Sequence, residues 1–268
     1  MSARRLMRQP GPELQPFVKT LWAIDAPASA GREHVLPTGE MHLVFRLGGG
    51  DLRLFSDDGG ADGRRAGEAL VGGARPSYYV RAVTGPQCST GVQLRPGGAE
   101  ALFGIPAAEF TNRHTPLDDV WGRQVDTIRE RLAAAESLEE RLSVLENILA
   151  ARVRRTRGIH PAVARALRQF KVTSDISHVV RDAGYSHRTL ISEFRRSVGL
   201  APKEYTRVLR LQRALRDMRR TGSLADLAAS AGYSDQAHMC RDFREFTGVT
   251  PGQYRRALPD APHHLKIT

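Results

Sequence analysis

The sequence predicts an α+β protein: a β-rich, sensor-like N-terminal domain with a helical end, then an all-α C-terminal domain of two helix-turn-helix units joined by a long helix. Three observations carry this. The tetrapeptide AGYS stands at residues 183–186 and again at 231–234, with matching residues around both copies. The first half alternates short apolar runs with glycine-rich turns. Charge is unevenly divided: residues 1–151 hold 17 Lys/Arg and 19 Asp/Glu, whereas residues 152–268 hold 23 and 10.

In the first half, "HLVFRLG", "DLRLF", "SYYVRAV" and "STGVQL" read as strands of a small antiparallel sheet or barrel, separated by "GGG", "DDGGADG" and "TGPQ" turns. After "RPGGAEALFGIPAAEF" the texture becomes helical. "SLEERLSVLENILAARVRR" sets Leu138, Leu142, Leu145, Ile148, Leu149 and Val153 at spacings of three and four, with Ser137 as its cap and Glu140 three residues on. Such a stripe must bury itself against its own sheet or a second subunit, and a homodimer is the expectation favoured slightly. The predicted division is 1–151 for this domain, 152–159 for a basic linker, 160–258 for the helical module and 259–268 for a tail.

The repeat has more than four letters. At an offset of 48, Ile176 meets Leu224 and Val179 meets Leu227; after one extra residue the offset is 49, and Leu190, Phe194, Gly199, Pro202 and Tyr205 meet Met239, Phe243, Gly248, Pro251 and Tyr254. Glycine, proline and apolar partners travel together, as in an internal duplication. Each copy is punctuated as helix, tight turn, helix. Ile176, Val179, Val180 and Ala183 recur at helical spacing after Thr173 and Ser174, and Gly184 follows the last turn. Ser186 stands at the cap of the next helix, with Tyr185 and Leu190 at the positions of a hydrophobic staple. The second copy repeats this through Gly232, Ser234, Met239 and Phe243. Between the units, residues 203–220 form an arginine-rich segment with one apolar stripe, Tyr205, Val208, Leu211, Leu215 and Met218. As a helix these 18 residues make a rod of about 27 Å, enough to hold two second helices near the ~34 Å between successive major grooves.

Residues from about 160 to 257 resemble the AraC/XylS family of bacterial transcription regulators. The resemblance rests on the paired units, on "RLQRAL" and on "AGYSDQAHMCRDFREFTGVTPGQYR", including the extra residue of the second unit. Ala201 departs from it, since a Ser or Thr cap is usual before Pro202. The resemblance implies a double-stranded DNA partner, sequence-specific binding, RNA polymerase contacts if the protein activates, and an N-terminal domain that binds a small effector or mediates dimerisation. By position it places Arg188, Ile191 and Ser192 on base-reading positions of the first recognition helix, and Gln236, Ala237 and Arg241, with Cys240, on those of the second.

The exposed faces opposite Leu190/Phe194 and Met239/Phe243 extend this set to Arg188, Thr189, Ile191, Ser192 and Arg195, and to Gln236, Ala237, His238, Cys240 and Arg241. Arginine pairs bidentately with guanine, glutamine with adenine, and Ile or Ala meets a thymine methyl. Lys203, Arg207, Arg196 and Arg244, with Arg195, suit phosphates, which position a protein without specifying sequence.

Other classes carry less. No cofactor is implied. His34, Glu40 and His42 invite a metal reading, but their spacing fits no metal motif. Cys88 in "GPQCSTG" suggests an alkyl-accepting repair protein, yet no histidine-paired nucleophile motif surrounds it. An enzyme localised by the helix-turn-helix pair would need acid, base and nucleophile together, and none assemble. A passive architectural DNA binder is the other alternative. Two distant cysteines, no apolar run of membrane-spanning length and no secretory signal together fit a cytoplasmic protein with reduced thiols.

Overall fold

The computed structural model describes residues 3–49, 52–55, 63–154, 158–173, 175–259 and 261–267. Residues 57–62 of the expected "DDGGADG" turn, Ser174 and residues 155–157 of the expected linker lie outside the described residues. The N-terminal half is a curled antiparallel sheet. Its strands are β1 (Arg4–Arg8), β2 (Val18–Val35), β3 (Met41–Gly49), β4 (Leu52–Phe55), β5 (Arg64–Arg65), β6 (Ala69–Gly72) and β7 (Tyr79–Leu94). Helix α1 (Gly98–Phe103), a 3-10 turn (Ala107–Phe110), β8 (His114–Pro116) and helices α2 (Asp118–Trp121), α3 (Gln124–Ala133) and α4 (Leu138–Ala150) follow.

Strand order is β1-β2-β7-β3-β6-β8, with β4 also on β7 and β5 on β4. The two long strands β2 and β7 shift register between Ala26 and Ser29, where an irregularity bends the pair. Alternation sends Leu21, Ala23, Leu43, Phe45, Val92 and Leu94 to the inner face. There they meet Val125, Ile128 and Leu132 of α3 and Leu142, Leu145 and Leu149 of α4 in one core. The leucine stripe of α4 is therefore covered by its own sheet, and this removes the packing reason for expecting a second subunit. Ser137 caps α4 as expected, accepting from Glu140 N at 3.1 Å.

The second half is helical: α5 (Pro161–Gln169), α6 (Ile176–Ala183), α7 (His187–Val198), α8 (Pro202–Asp217), α9 (Leu224–Ala231), α10 (Gln236–Thr247) and α11 (Pro251–Ala257). Helices α6–α7 and α9–α10 are the two units, each turning at a left-handed glycine, Gly184 at φ 71° and Gly232 at φ 86°. Each unit has its own core: Val179, Leu190 and Phe194 with α5 in the first, and Leu227, Met239 and Phe243 in the second.

The turns differ from the expected pattern in detail. Tyr185 is 44% exposed and stacks edge-on against His160 at 4.8 Å, so its ring is engaged with the start of α5. In the second unit the cap is Asp235 rather than Ser234: its carboxylate accepts from His238 N at 2.7 Å, as Ser186 accepts from Thr189 N at 3.1 Å. The extra residue thus lies in the turn, and both core residues, Leu190 and Met239, stand four positions after their caps. Ala201 makes no side-chain cap, yet Glu204 reaches back to accept from Ala201 N at 2.8 Å, which keeps half of a capping box.

The expected tail is also structural. Strand β9 (His264–Ile267) pairs antiparallel with β2, from Arg32–Ile267 to Val35–His264, and so returns the chain's end to the N-terminal sheet. Its Leu265 is buried with Leu36 of the N-terminal half and Leu211 of α8.

Candidate nucleic-acid interface

Helix α8 is the spacer between the units. Its 16 residues give a rod of about 24 Å, shorter than the segment expected from sequence because the helix ends at Asp217. Val208, Leu211, Ala214 and Leu215 bury one face. Tyr205 closes the first unit's core against Phe194 at 5.4 Å, and burial raises its phenol to about 12.

Helix α7 buries Leu190, Phe194, Ser197 and Val198. Its opposite face leaves Arg188, Ser192 and Arg195 exposed, with Thr189 and Ile191 half-buried. Helix α10 buries Met239, Asp242, Phe243, Phe246 and Thr247. It leaves Gln236, Ala237, Arg241 and Arg244 exposed, with His238 and Cys240 half-buried. Each expected reading set therefore shares one helical face. His238 Nδ1 meets Ser234 Oγ at 3.0 Å, which ties it to the turn, and Cys240 packs against the second unit's core.

The expected phosphate set divides. Lys203 and Arg244 are exposed. Arg207 is instead a bracket between helices. Its Nη2 lies 2.8 Å from Asp242 and 2.6 Å from Glu245, and its guanidinium covers the Phe246 ring at 4.5 Å. Those two carboxylates raise its pKa further and engage its Nε, Nη1 and Nη2 atoms, which directs the guanidinium to α10. The buried Asp242 carboxylate also meets Arg210 at 3.6 Å and His238 at 3.7 Å. Arg196 reaches Glu100 of α1 at 2.8 Å and so points to the N-terminal half.

That contact belongs to an interface which sequence reasoning did not foresee. Gly97 N donates to Ser197 O at 2.9 Å, Tyr78 N to Phe246 O at 3.0 Å, and Thr111 Oγ1 to Gly199 O. Gln212 on α8 donates to Pro37 O at 2.6 Å and accepts from His263 Nε2 at 2.7 Å. Neither Gln212 bond, one to a proline carbonyl and one to a histidine ring, has a periodic signature, so only the fold pairs them. Alongside α7 the 3-10 turn completes a groove of about 790 Å³, walled by Pro106, Ala108 and Glu109 on one side and by Arg188, Ile191 and Ser192 on the other.

The remaining chemistry-bearing residues have structural duties. Buried His34 donates through Nδ1 to Thr247 O at 2.7 Å, and Glu40 pairs with Lys19 at 2.7 Å. His42 is held near pKa 4 by burial, helped by His263, His264 and Lys19. Burial and Asp25 push the Cys88 thiol up, the reverse of an activated nucleophile. Trp22 faces Gly91, and Tyr79 lines a separate cleft with His114. Among the described residues no helix is long and apolar enough to cross a membrane.

Similarity to known proteins falls in both halves of the chain. Residues 179–257 match the family model described as Helix-turn-helix domain, and residues 7–116 match Domain of unknown function (DUF6597). A Streptomyces lividans protein, assigned by name as an AraC-like transcription regulator, is 26% identical over 229 residues, covering 80% of this chain and 66% of its own. The HTH-type transcriptional regulator MtrA of Neisseria gonorrhoeae is 31% identical over 83 residues, covering 31% of this chain and 28% of its own. The chain thus spans just under two thirds of the first relative and less than a third of the second. Among solved structures, ToxT from Vibrio cholerae covers 97% of this chain and 98% of its own at a TM-score of 0.48 and 10% identity. The DNA-binding domain of AdpA, solved with a target DNA, covers 36% of this chain and 91% of its own at 0.34 and 24%. In its paired helix-turn-helix module the chain is thus similar to AraC-like transcription regulators.

Proposed function

We propose that the protein is a sequence-specific DNA-binding transcription regulator that reads two successive major-groove segments with α7 and α10. One observation carries the reading: two duplicated units, joined by the single helix α8, each present an exposed arginine-bearing face opposite a buried Leu/Phe or Met/Phe pair. Arg188, Ile191 and Ser192 read one segment; Gln236, Ala237 and Arg241 read the other. Lys203, Arg195 and Arg244 meet phosphates, while Arg207 holds the second reading helix in place. The excess of 23 Lys/Arg over 10 Asp/Glu in residues 152–268 supplies the salt-dependent part of the affinity.

The N-terminal sheet modulates this binding, and the groove between Pro106–Glu109 and α7 is where the two halves meet beside a reading face. A single chain already spans both grooves. Recovery and sequencing of genomic fragments bound by the full chain tests the proposal. The expected result is an enriched motif with two blocks about one helical turn, ~10 bp, apart. Recovery of fragments with no shared motif would reduce the protein to an architectural binder.

A further inference from the structure

A second cleft, of about 640 Å³, lies in the N-terminal half between β4–β5 and β8, lined by Leu54, Phe55, Arg64, Arg75, Tyr79 and His114 among others. Its volume is in the range of small-molecule sites. Its electrostatics are unusual for a surface recess. Arg75 makes no ion pair among the described residues; its guanidinium lies 4.9 Å from the Tyr79 ring and donates through Nη2 to His114 Nδ1 at 2.9 Å. Because arginine can only donate, His114 is fixed as the neutral tautomer with its proton on Nε2. Arg75 Nε is buried and has no partner. Arg64 lies beside it, donating to His114 O at 3.2 Å, and Arg113 is on the same wall. The one lining carboxylate, Asp119, is exposed and pairs with none of the three. A half-buried guanidinium whose Nε is sealed from solvent, left without a counter-ion beside a second arginine, is costly unless an anion completes it.

The cleft is also wired to the reading helix. Arg113 O accepts from Gly73 N at 2.9 Å, and Ala74 O accepts from Asn112 N at 3.1 Å, so the strand that precedes Arg75 is bolted to the segment that precedes His114. A side chain on Gly73 would stand 1.6 Å from Phe110 O, which shows how closely the two backbones abut. At the other end, a side chain on Gly199, which caps α7, would lie 3.3 Å from the Ala74 methyl and 3.2 Å from Ala107 O. Residues 106–116 thus run unbroken from the groove beside α7 to the wall of the cleft.

We infer that this cleft binds a small organic anion, its carboxylate or phosphate held by Arg75 and Arg64 and its apolar part against Leu54 and Phe55, and that occupancy is felt at α7 through residues 73–75 and 106–116. The inference rests on the DNA-binding reading above and adds the ligand class and the route.

The full chain, titrated at constant ionic strength with cyclohexanecarboxylate, phenyl phosphate, inorganic phosphate and the neutral cyclohexanecarboxamide, tests it by calorimetry. The carboxylate or phenyl phosphate should bind saturably while the amide does not, and Arg75→Gln should weaken binding at least tenfold. Saturation by inorganic phosphate alone would assign the cleft to free phosphate and overturn the organic ligand. Arg64→Gln, at an exposed position, repeats the test if Arg75→Gln proves misfolded by circular dichroism. The bound anion should change affinity for the selected DNA site at least threefold, and not in the variants. Equal binding of the amide, or an unchanged response in folded Arg75→Gln and Arg64→Gln, overturns the site; anion binding without effect on DNA affinity overturns the route. DNA affinity without anion is measured alongside, so that failure of the DNA-binding reading itself is seen separately.

Discussion

Arg207 of α8 and Asp242 of α10 lie 2.8 Å apart, with the carboxylate side chain only 7% exposed, and this pair fixes α10 to α8. Replacing Arg207 with Ala leaves a buried carboxylate supported only by Arg210 and His238 at longer range. The expected cost is about 2–3 kcal/mol of stability, seen as a lower midpoint in urea denaturation. Full stability together with a uniform loss of DNA affinity would return Arg207 to the phosphate set.

Strand β9 makes a second expectation. Removing residues 259–268 exposes Leu36, deletes the buried Leu265 and strips β2 of four paired residues. Loss of about 2–4 kcal/mol follows from the buried leucine and the ladder together. A truncated chain with an unchanged urea midpoint would make the segment a mere tail.

Glu33 guards that strand. Burial pushes its carboxyl up, but hydrogen bonding to His264 and the nearby Arg81 overcome this and hold it at about 2. A depressed carboxyl stabilises the fold above its ordinary value of 4.5, and that stabilisation is lost as pH falls from there towards 2. Glu33→Gln should therefore flatten the acid limb of the stability curve over that window. A limb of unchanged steepness would show that the ion cluster contributes nothing.

Three histidines act at milder pH. Burial, with help from neighbouring cations, holds His42 and His263 near 4 and His114 near 3. Below about 6.5 the unfolded chain takes up protons that the folded chain refuses, so stability should fall from pH 7 to pH 5. Urea midpoints at those two values check this, and His114→Gln should lessen the difference. Equal midpoints would mean that these rings are solvated and protonate in the fold.

Much of this was legible in the sequence because it is periodic. The duplicated core, from Val179 and Leu227 to Phe194 and Phe243, repeats at helical spacing, and such spacing places a face without any knowledge of neighbours. Arg188 and Arg241 follow by elimination, as residues opposite that face. Arg207 looked like a phosphate ligand because its exposed-looking position in an arginine-rich helix said nothing of Asp242, which lies 35 residues away. The segment after α11 was unreadable for a similar reason: "HHLKI" becomes a strand only because β2 offers it an open edge. The link from Gly199 to Ala74 and Ala107 left no trace at all, since it depends on a glycine that sequence assigns simply to a helix end.

The measurement closest to the central claim is a base-resolved binding profile of the full chain and of Arg241→Ala on the selected site. Arg241 is exposed on the face of α10 opposite Met239 and Phe243. Its removal should cost about 1–3 kcal/mol on the preferred sequence and relax discrimination at one base pair, leaving the block read by α7 unchanged. A profile in which every preference survives the substitution would contradict the assignment of α10 as a reading helix.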